Sequence, residues 1–185
     1  MTGINRTARI GLLVVSLGLG ATLVSGGQSA PDGKLLSQLK QLFPNASAFS
    51  PKEPAPPHFK AYTTDASGAR VLLGLAFWTT EIEPLERGYD GPIKMLVGMD
   101  PDGKLTGVLV VEHREPYGYF SVDRKEFALQ FAGKSIREPF KVGEDVDAVS
   151  RASITTLSAT RAIRNSARRV ARQLLTAPTT PSAPR

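Results

Sequence analysis

The sequence predicts an α+β domain, a twisted antiparallel sheet with packed helices, flanked by two segments of different character. Three observations carry this prediction. Strand-like runs at His58–Thr64 and Arg70–Thr79 enclose a turn at Asp65-Ala-Ser-Gly68, and runs at Ile93–Met99 and Leu105–Glu112 enclose Asp100-Pro-Asp-Gly103. Aspartate and glycine between β-branched runs are hairpin signals, and hairpins pair strands antiparallel. Apolar residues at helical spacing stand on either side of this β region. Charge divides the 185 residues as well: 1–30 hold only Arg6 and Arg9, 31–150 hold 14 basic and 17 acidic residues, and from Arg151 onward there are seven arginines and no acid.

Taken in order, Arg6 and Arg9 precede an apolar run from Ile10 to Val24 that Ser25-Gly26-Gly27 closes. A charged start, an apolar core and small residues are the marks of a secretory signal sequence, so 1–30 is read as a signal or an uncleaved N-terminal anchor. Lipoprotein processing is excluded, because no cysteine ends the apolar core. Export then places the mature chain in the periplasm or on the periplasmic face of the inner membrane. Residues 31–175 form the domain and 176–185 a disordered Pro/Thr/Ser tail.

Asp32 is the expected cap of a helix carrying Leu35, Leu36, Leu39, Leu42 and Phe43 on one side, with Pro44 as its stop. Ser50 to Pro57 is proline-rich and reads as an extended linker. Trp78 falls in a strand and is assigned to the core, and His58, beside the linker, to solvent. Ser121–Phe131 is expected to be helical, with Phe127 and Phe131 one turn apart and Gly133 as the stop. A last helix from about Thr156 to Leu175 carries Ile163, Ala167, Val170 and Leu174 as its apolar stripe. Arg161, Arg164, Arg168 and Arg172 line another face. That face suits an acidic redox partner or an anionic membrane surface, and equally a solvated helix complementing an acidic body.

Composition removes several functions. With no cysteine there are no disulfides, zinc–thiolate sites, iron–sulfur clusters or thiol nucleophiles. Two histidines, His58 and His113, leave little for a metal site. The excess of basic charge is confined to the C-terminal segment, and aromatic residues are few (7%), so no nucleic-acid partner is expected. Nucleophile elbows, P-loops and dinucleotide fingerprints are missing.

One segment is more specific. Asp147-Ala-Val-Ser150-Arg-Ala152-Ser153-Ile154-Thr155-Thr156 brings small and hydroxyl residues directly into the last helix. Such a junction offers unpaired N–H groups and the positive end of the helix dipole to a phosphate, although a plain Ser/Thr cap has the same composition. The segment resembles the flavinylation motif of FMN-binding domains in the NqrC and RnfG subunits of membrane redox pumps and in NosR. The motif reads Asp-x-x-Ser-Gly-Ala-Thr-x-Thr/Ser. Asp147, Ser150, Ala152 and Thr155 match it, Arg151 stands for Gly, and Ser153 takes the acceptor position. Upstream, Gly88 to Gly107 resembles the family hairpin, and Val111-Glu-His113-Arg-Glu115-Pro116-Tyr117-Gly118 resembles its flavin-side loop. Leu42-Phe-Pro-Asn-Ala46 and Phe131-Ala-Gly-Lys134 bring the chain closest to NosR.

The resemblance covers about residues 35–172 and implies a single FMN-binding domain. It implies FMN joined by its phosphate to Ser153, installed from FAD by a magnesium-dependent, ApbE-type flavin transferase. Ser150, Ala152, Ile154, Thr155, Thr156, Asp147, His113, Glu115, Pro116 and Tyr117 are the implied cofactor-binding residues, with Tyr89, Met95, Tyr119 and Phe120 as further candidates by position. The implied role is an electron-transfer module of a membrane redox complex rather than a complete enzyme. The departures at Arg151 and Ser153 leave an alternative, a non-redox assembly subunit that keeps the fold.

Overall fold

Near-continuous apolar runs along the central strands, at 71–78 and 95–99, require two cores, one on each face of a sheet, and the computed structural model, which describes residues 30–175, has both. The signal or anchor segment and the C-terminal tail lie outside the described residues, apart from Ala30. The elements are α1 (Gly33–Leu42), β1 (Ala48–Phe49), β2 (Glu53–Pro54), β3 (Pro57–Thr64), β4 (Arg70–Trp78), α2 (Thr79–Ile82), β5 (Lys94–Met99) and β6 (Leu105–Glu112). They are followed by α3 (Lys125–Leu129) and α4 (Ser153–Leu174). The strands run β1-β3-β4-β5-β6, every neighbour antiparallel, and β2 pairs with the start of β3.

Turn chemistry sets the two long hairpins. Asp65 Oδ1 accepts from the Ser67 and Ala69 N–H groups, and Asp100 Oδ1 accepts from those of Asp102 and Lys104. Each side chain thereby substitutes for a backbone partner in its turn.

Leu75, Phe77, Met95, Val97 and Met99 point to one face, where they meet Ala159, Ile163, Ala167 and Val170 of α4 and the rings of Phe127, Phe131 and Phe140. Ala76, Trp78 and Leu96 point to the other, where α1 supplies Leu39 and Leu42. Each large side chain buried in this way contributes on the order of 2 kcal/mol. Asp32 caps α1 as expected, accepting from the Leu35 N–H at 2.8 Å.

Glycine permits the close approach of α1. Gly98 and Gly107 face each other across β5 and β6, and Gly74 stands on β4. Side chains at these positions would run into Leu42 and Phe43.

Four expectations are corrected. The proline-rich stretch is not a linker: Glu53 pairs with His58 and Pro54 with Pro57, closing a tight hairpin. His58 is therefore 1% exposed rather than solvated, its Nδ1 donating to the Pro56 carbonyl at 2.7 Å. The helix expected over 121–131 shortens to α3, because Arg124 is extended and Ser121 hydrogen-bonds back to the Tyr117 carbonyl. Conversely, α4 begins three residues early, at Ser153, since the chain reverses at Arg151 and the Thr156 N–H already donates to the Ala152 carbonyl.

Half of the arginine face of α4, Arg161 and Arg168, serves the domain itself, as does Arg169 beside it. Arg161 pairs with Glu86 and Arg169 with Glu83, while Arg168 donates to the carbonyls of Ile136 and Glu138. Among the described residues no helix is long and apolar enough to cross a membrane.

Candidate functional site

The beginning of α4 leaves its first N–H groups open. Ala152 occupies the cap position without a side-chain cap bond, and no acidic residue stands in the first turn. The N–H groups of Ser153, Ile154 and Thr155 form no hydrogen bond within the described residues. Over 22 residues of helix, aligned peptide dipoles give this end a partial positive charge. Ser153 is exposed at the first helical position, next to exposed Arg151.

Arg151 adopts φ +67°, the left-handed region that disfavours a side chain. The motif has glycine, the residue that tolerates this region best, where this chain has arginine. Arg151→Gly is expected to raise stability by up to about 1 kcal/mol, the relief of strain outweighing the added freedom of the unfolded chain. A urea midpoint that falls instead would show that the arginine side chain supplies more than its backbone costs.

In front of this helix end lies a cleft of about 310 Å³ lined by Tyr89, Tyr117, Arg151, Ala152, Ser153, Ile154 and Thr155. Tyr89 is 70% and Ile154 55% exposed, which leaves an aromatic and aliphatic rim uncovered by the domain. Flat apolar walls beside a small number of polar donors are the usual composition of a cofactor site.

Glu115 holds the parts together. Only 7% exposed, its carboxylate accepts from the Tyr89 N–H at 3.0 Å, the Asp90 N–H at 2.9 Å and the Thr155 hydroxyl. One side chain thus ties the loop after β6 to the 88–91 turn and to the first turn of α4. Burial pushes its carboxyl up, but the Thr155 hydroxyl, the two N–H donors and nearby His113 outweigh burial and hold it below the ordinary value.

A carboxylate depressed in the folded state stabilises the fold fully above its unfolded value, about 4.3. That contribution is lost as pH falls through the lower folded value. Glu115→Gln is therefore expected to flatten the decline of melting temperature between about pH 5 and pH 3, the remaining slope coming from Asp145, Glu138, Asp65 and Glu126, which are depressed too. Parallel declines in the two proteins would refute a folded-state shift at Glu115.

His113 stands behind the loop rather than in the cleft. Its Nδ1 accepts from the Glu115 N–H at 3.0 Å, which leaves Nε2 to donate to Asp123 Oδ1 at 2.6 Å. Gly118 makes room for the ring: a Cβ there would stand 2.2 Å from His113 Cε1.

The structure brings Ser153, Ala152, Ile154, Thr155, Glu115, Tyr117 and Tyr89 together around the cleft. Ala152 is buried, and the Thr155 hydroxyl is spent on Glu115. Thr156 is fully buried with its hydroxyl unpartnered, and Met95 lies in the core. Ser150, Asp147 and Phe120 line a neighbouring depression instead. Pro116 is exposed, and Tyr119 packs edge-on against Phe120, its ring centroid 4.7 Å away. Sequence reasoning misses Asp123, the partner of His113, and Gly88, whose missing side chain leaves space for the Glu115 carboxylate. Nothing in the spacing of either residue signals this role.

These residues fit a flavin phosphate: free N–H donors and an accessible hydroxyl sit together, with an arginine beside them and apolar walls in front. Among the described residues no group of His, Asp and Glu could hold a metal ion.

A family model described as FMN-binding domain matches residues 88–168, the span that contains this constellation. The G subunit of the ion-translocating oxidoreductase complex of Haemophilus influenzae strain PittEE is 30% identical over 193 aligned positions, covering 89% of this chain and 88% of the relative. Its counterpart from Haemophilus influenzae strain Rd is 37% identical over 94 positions, 45% of this chain and 44% of the relative. That of Pseudomonas aeruginosa PAO1 is 36% identical over 93 positions, 44% and 42% of the respective chains.

Proposed function

The chain belongs to the FMN-binding domain family, and on that premise we propose that it is an electron-transfer flavoprotein of a membrane redox complex, its FMN phosphoester-linked to Ser153. The carrying observation is the exposed Ser153 hydroxyl at the uncapped start of α4, opening on a cleft walled by Tyr89 and Tyr117.

Each element has a task in this reading. The free N–H groups of Ser153, Ile154 and Thr155, with Arg151 beside them, offset the negative charge of a phosphodiester. Tyr89, Tyr117 and Ile154 offer the ring apolar surface and exclude water from one side. Glu115 keeps those walls in register with the helix end. The flavin, when bound, supplies one- and two-electron chemistry; the protein supplies position and electrostatics. Attachment would come from an ApbE-type transferase using FAD and magnesium, and a covalent tether keeps the cofactor from diffusing away at the periplasmic face of the membrane.

Intact mass of the exported chain after denaturation tests this, using cells that contain a flavin transferase. An increment of one FMN less one water, confined to the peptide holding Ser153, is expected. An unmodified chain that also releases no flavin would favour the assembly-subunit alternative.

A further inference from the structure

We propose that Glu115 sets the electron affinity of the flavin: its carboxylate, seated directly behind the cleft wall, is a fixed negative charge that opposes electron uptake. The inference rests on the FMN reading above and adds a tuning residue to it.

Two of the three donors to this carboxylate, Tyr89 and Thr155, are themselves residues that line the cleft. The charge thus stands one side chain away from the space the ring would fill. It is 7% exposed, and among the described residues no lysine or arginine forms an ion pair with it. Hydrogen bonds keep it in place without cancelling its charge. Water and salt screen a buried charge far less than an exposed one, so its field reaches the neighbouring cleft.

The fold reserves space for this group. Gly88 packs against the carboxylate so closely that a Cβ would lie 2.3 Å from Oε1. An apolar side chain at 115 would leave all three donors unpaired, and a glutamine could not accept all three bonds, since its amide nitrogen would meet a donor.

The step affected is uptake of an electron from a one-electron donor without an accompanying proton, which reduces the ring, oxidises the donor and adds negative charge beside Glu115. Removing the charge should make that uptake easier.

The test is a spectroelectrochemical titration of the full-length, flavin-bearing protein, with dithionite as reductant and flavin absorbance as readout. In Glu115→Gln the reduced-to-oxidised ratio at a given potential is expected to rise about tenfold, a positive shift of about 59 mV for a one-electron step. Glu115→Asp keeps the charge and should return the potential toward the wild-type value. Thr155→Val removes a donor that partly offsets the charge, so it should move the potential the other way, and it serves as the reading should Glu115→Gln fail to fold. Flavin-bearing Glu115→Gln with an unchanged or lowered potential overturns the proposal, as does a rise in Thr155→Val. A wild-type chain without flavin overturns the FMN reading itself, and this inference with it.

Discussion

Ser153→Ala is expected to abolish covalent flavin completely, from full occupancy to none, in cells that modify the wild-type chain. The neighbouring hydroxyls offer no substitute of equal geometry. Thr155 is buried and donates to Glu115, Thr156 is fully buried, and Ser150 faces the adjacent depression rather than the cleft. Ser153 alone combines exposure with a place in the first helical turn. Its hydroxyl makes no capping bond, so the substitution should change stability by no more than about 0.5 kcal/mol. Loss of flavin in a protein of unchanged melting temperature therefore reports chemistry rather than unfolding. Ser153→Thr, which preserves the hydroxyl, should restore the modification. Retention of the FMN increment in Ser153→Ala would falsify the attachment site and direct attention to Ser150.

Much of this site can be read from the chain because its signals are local. The run from Asp147 to Thr156 keeps its small and hydroxyl residues in consecutive positions, and the four long strands announce themselves through apolar and β-branched runs around Asp/Gly turns. Helical spacing alone likewise places Leu39 and Leu42 in the core. What the sequence hides depends on contacts between distant positions. Glu115 and Thr155 are each visible as motif residues, but nothing in a spacing of 40 positions says that one bonds the other. Asp123 becomes a partner of His113 only because the expected helix over 121–131 gives way to a turn at its start. His58 goes against expectation since proline-rich segments usually stay open, and here the prolines close a hairpin over the ring. The arginines of α4 show the same limit. Their periodicity marks a face, whereas Glu86, far earlier in the chain, pairs with Arg161 of that face and Glu83 with Arg169 beside it.

The largest loss of stability is expected at a residue with no side chain at all. A Cβ on Gly74 would lie 2.4 Å from the Met99 carbonyl oxygen and 2.6 Å from Phe43 Cε1. The carbonyl is fixed by the pairing of β4 with β5, where Leu75 faces Met99, so it cannot retreat without opening the sheet. Phe43 is buried in the α1 core and has little room to move. Gly74→Ala should therefore cost about 3 kcal/mol, the upper range for overpacking a filled core, and lower the melting temperature by roughly 10 °C. Gly33→Ala is the matched control. A Cβ there meets nothing within 4 Å, and alanine favours the first turn of α1, so stability should hold or rise by up to about 1 kcal/mol. Equal losses in the two variants would mean that helix propensity and chain entropy, not the close approach of α1, govern the site. Because α1 and α4 pack on opposite faces of the sheet, Gly74→Ala molecules that do fold should still carry flavin on Ser153. The two substitutions at Gly74 and Ser153 thus separate what the glycines do for the fold from what the helix end does for the cofactor.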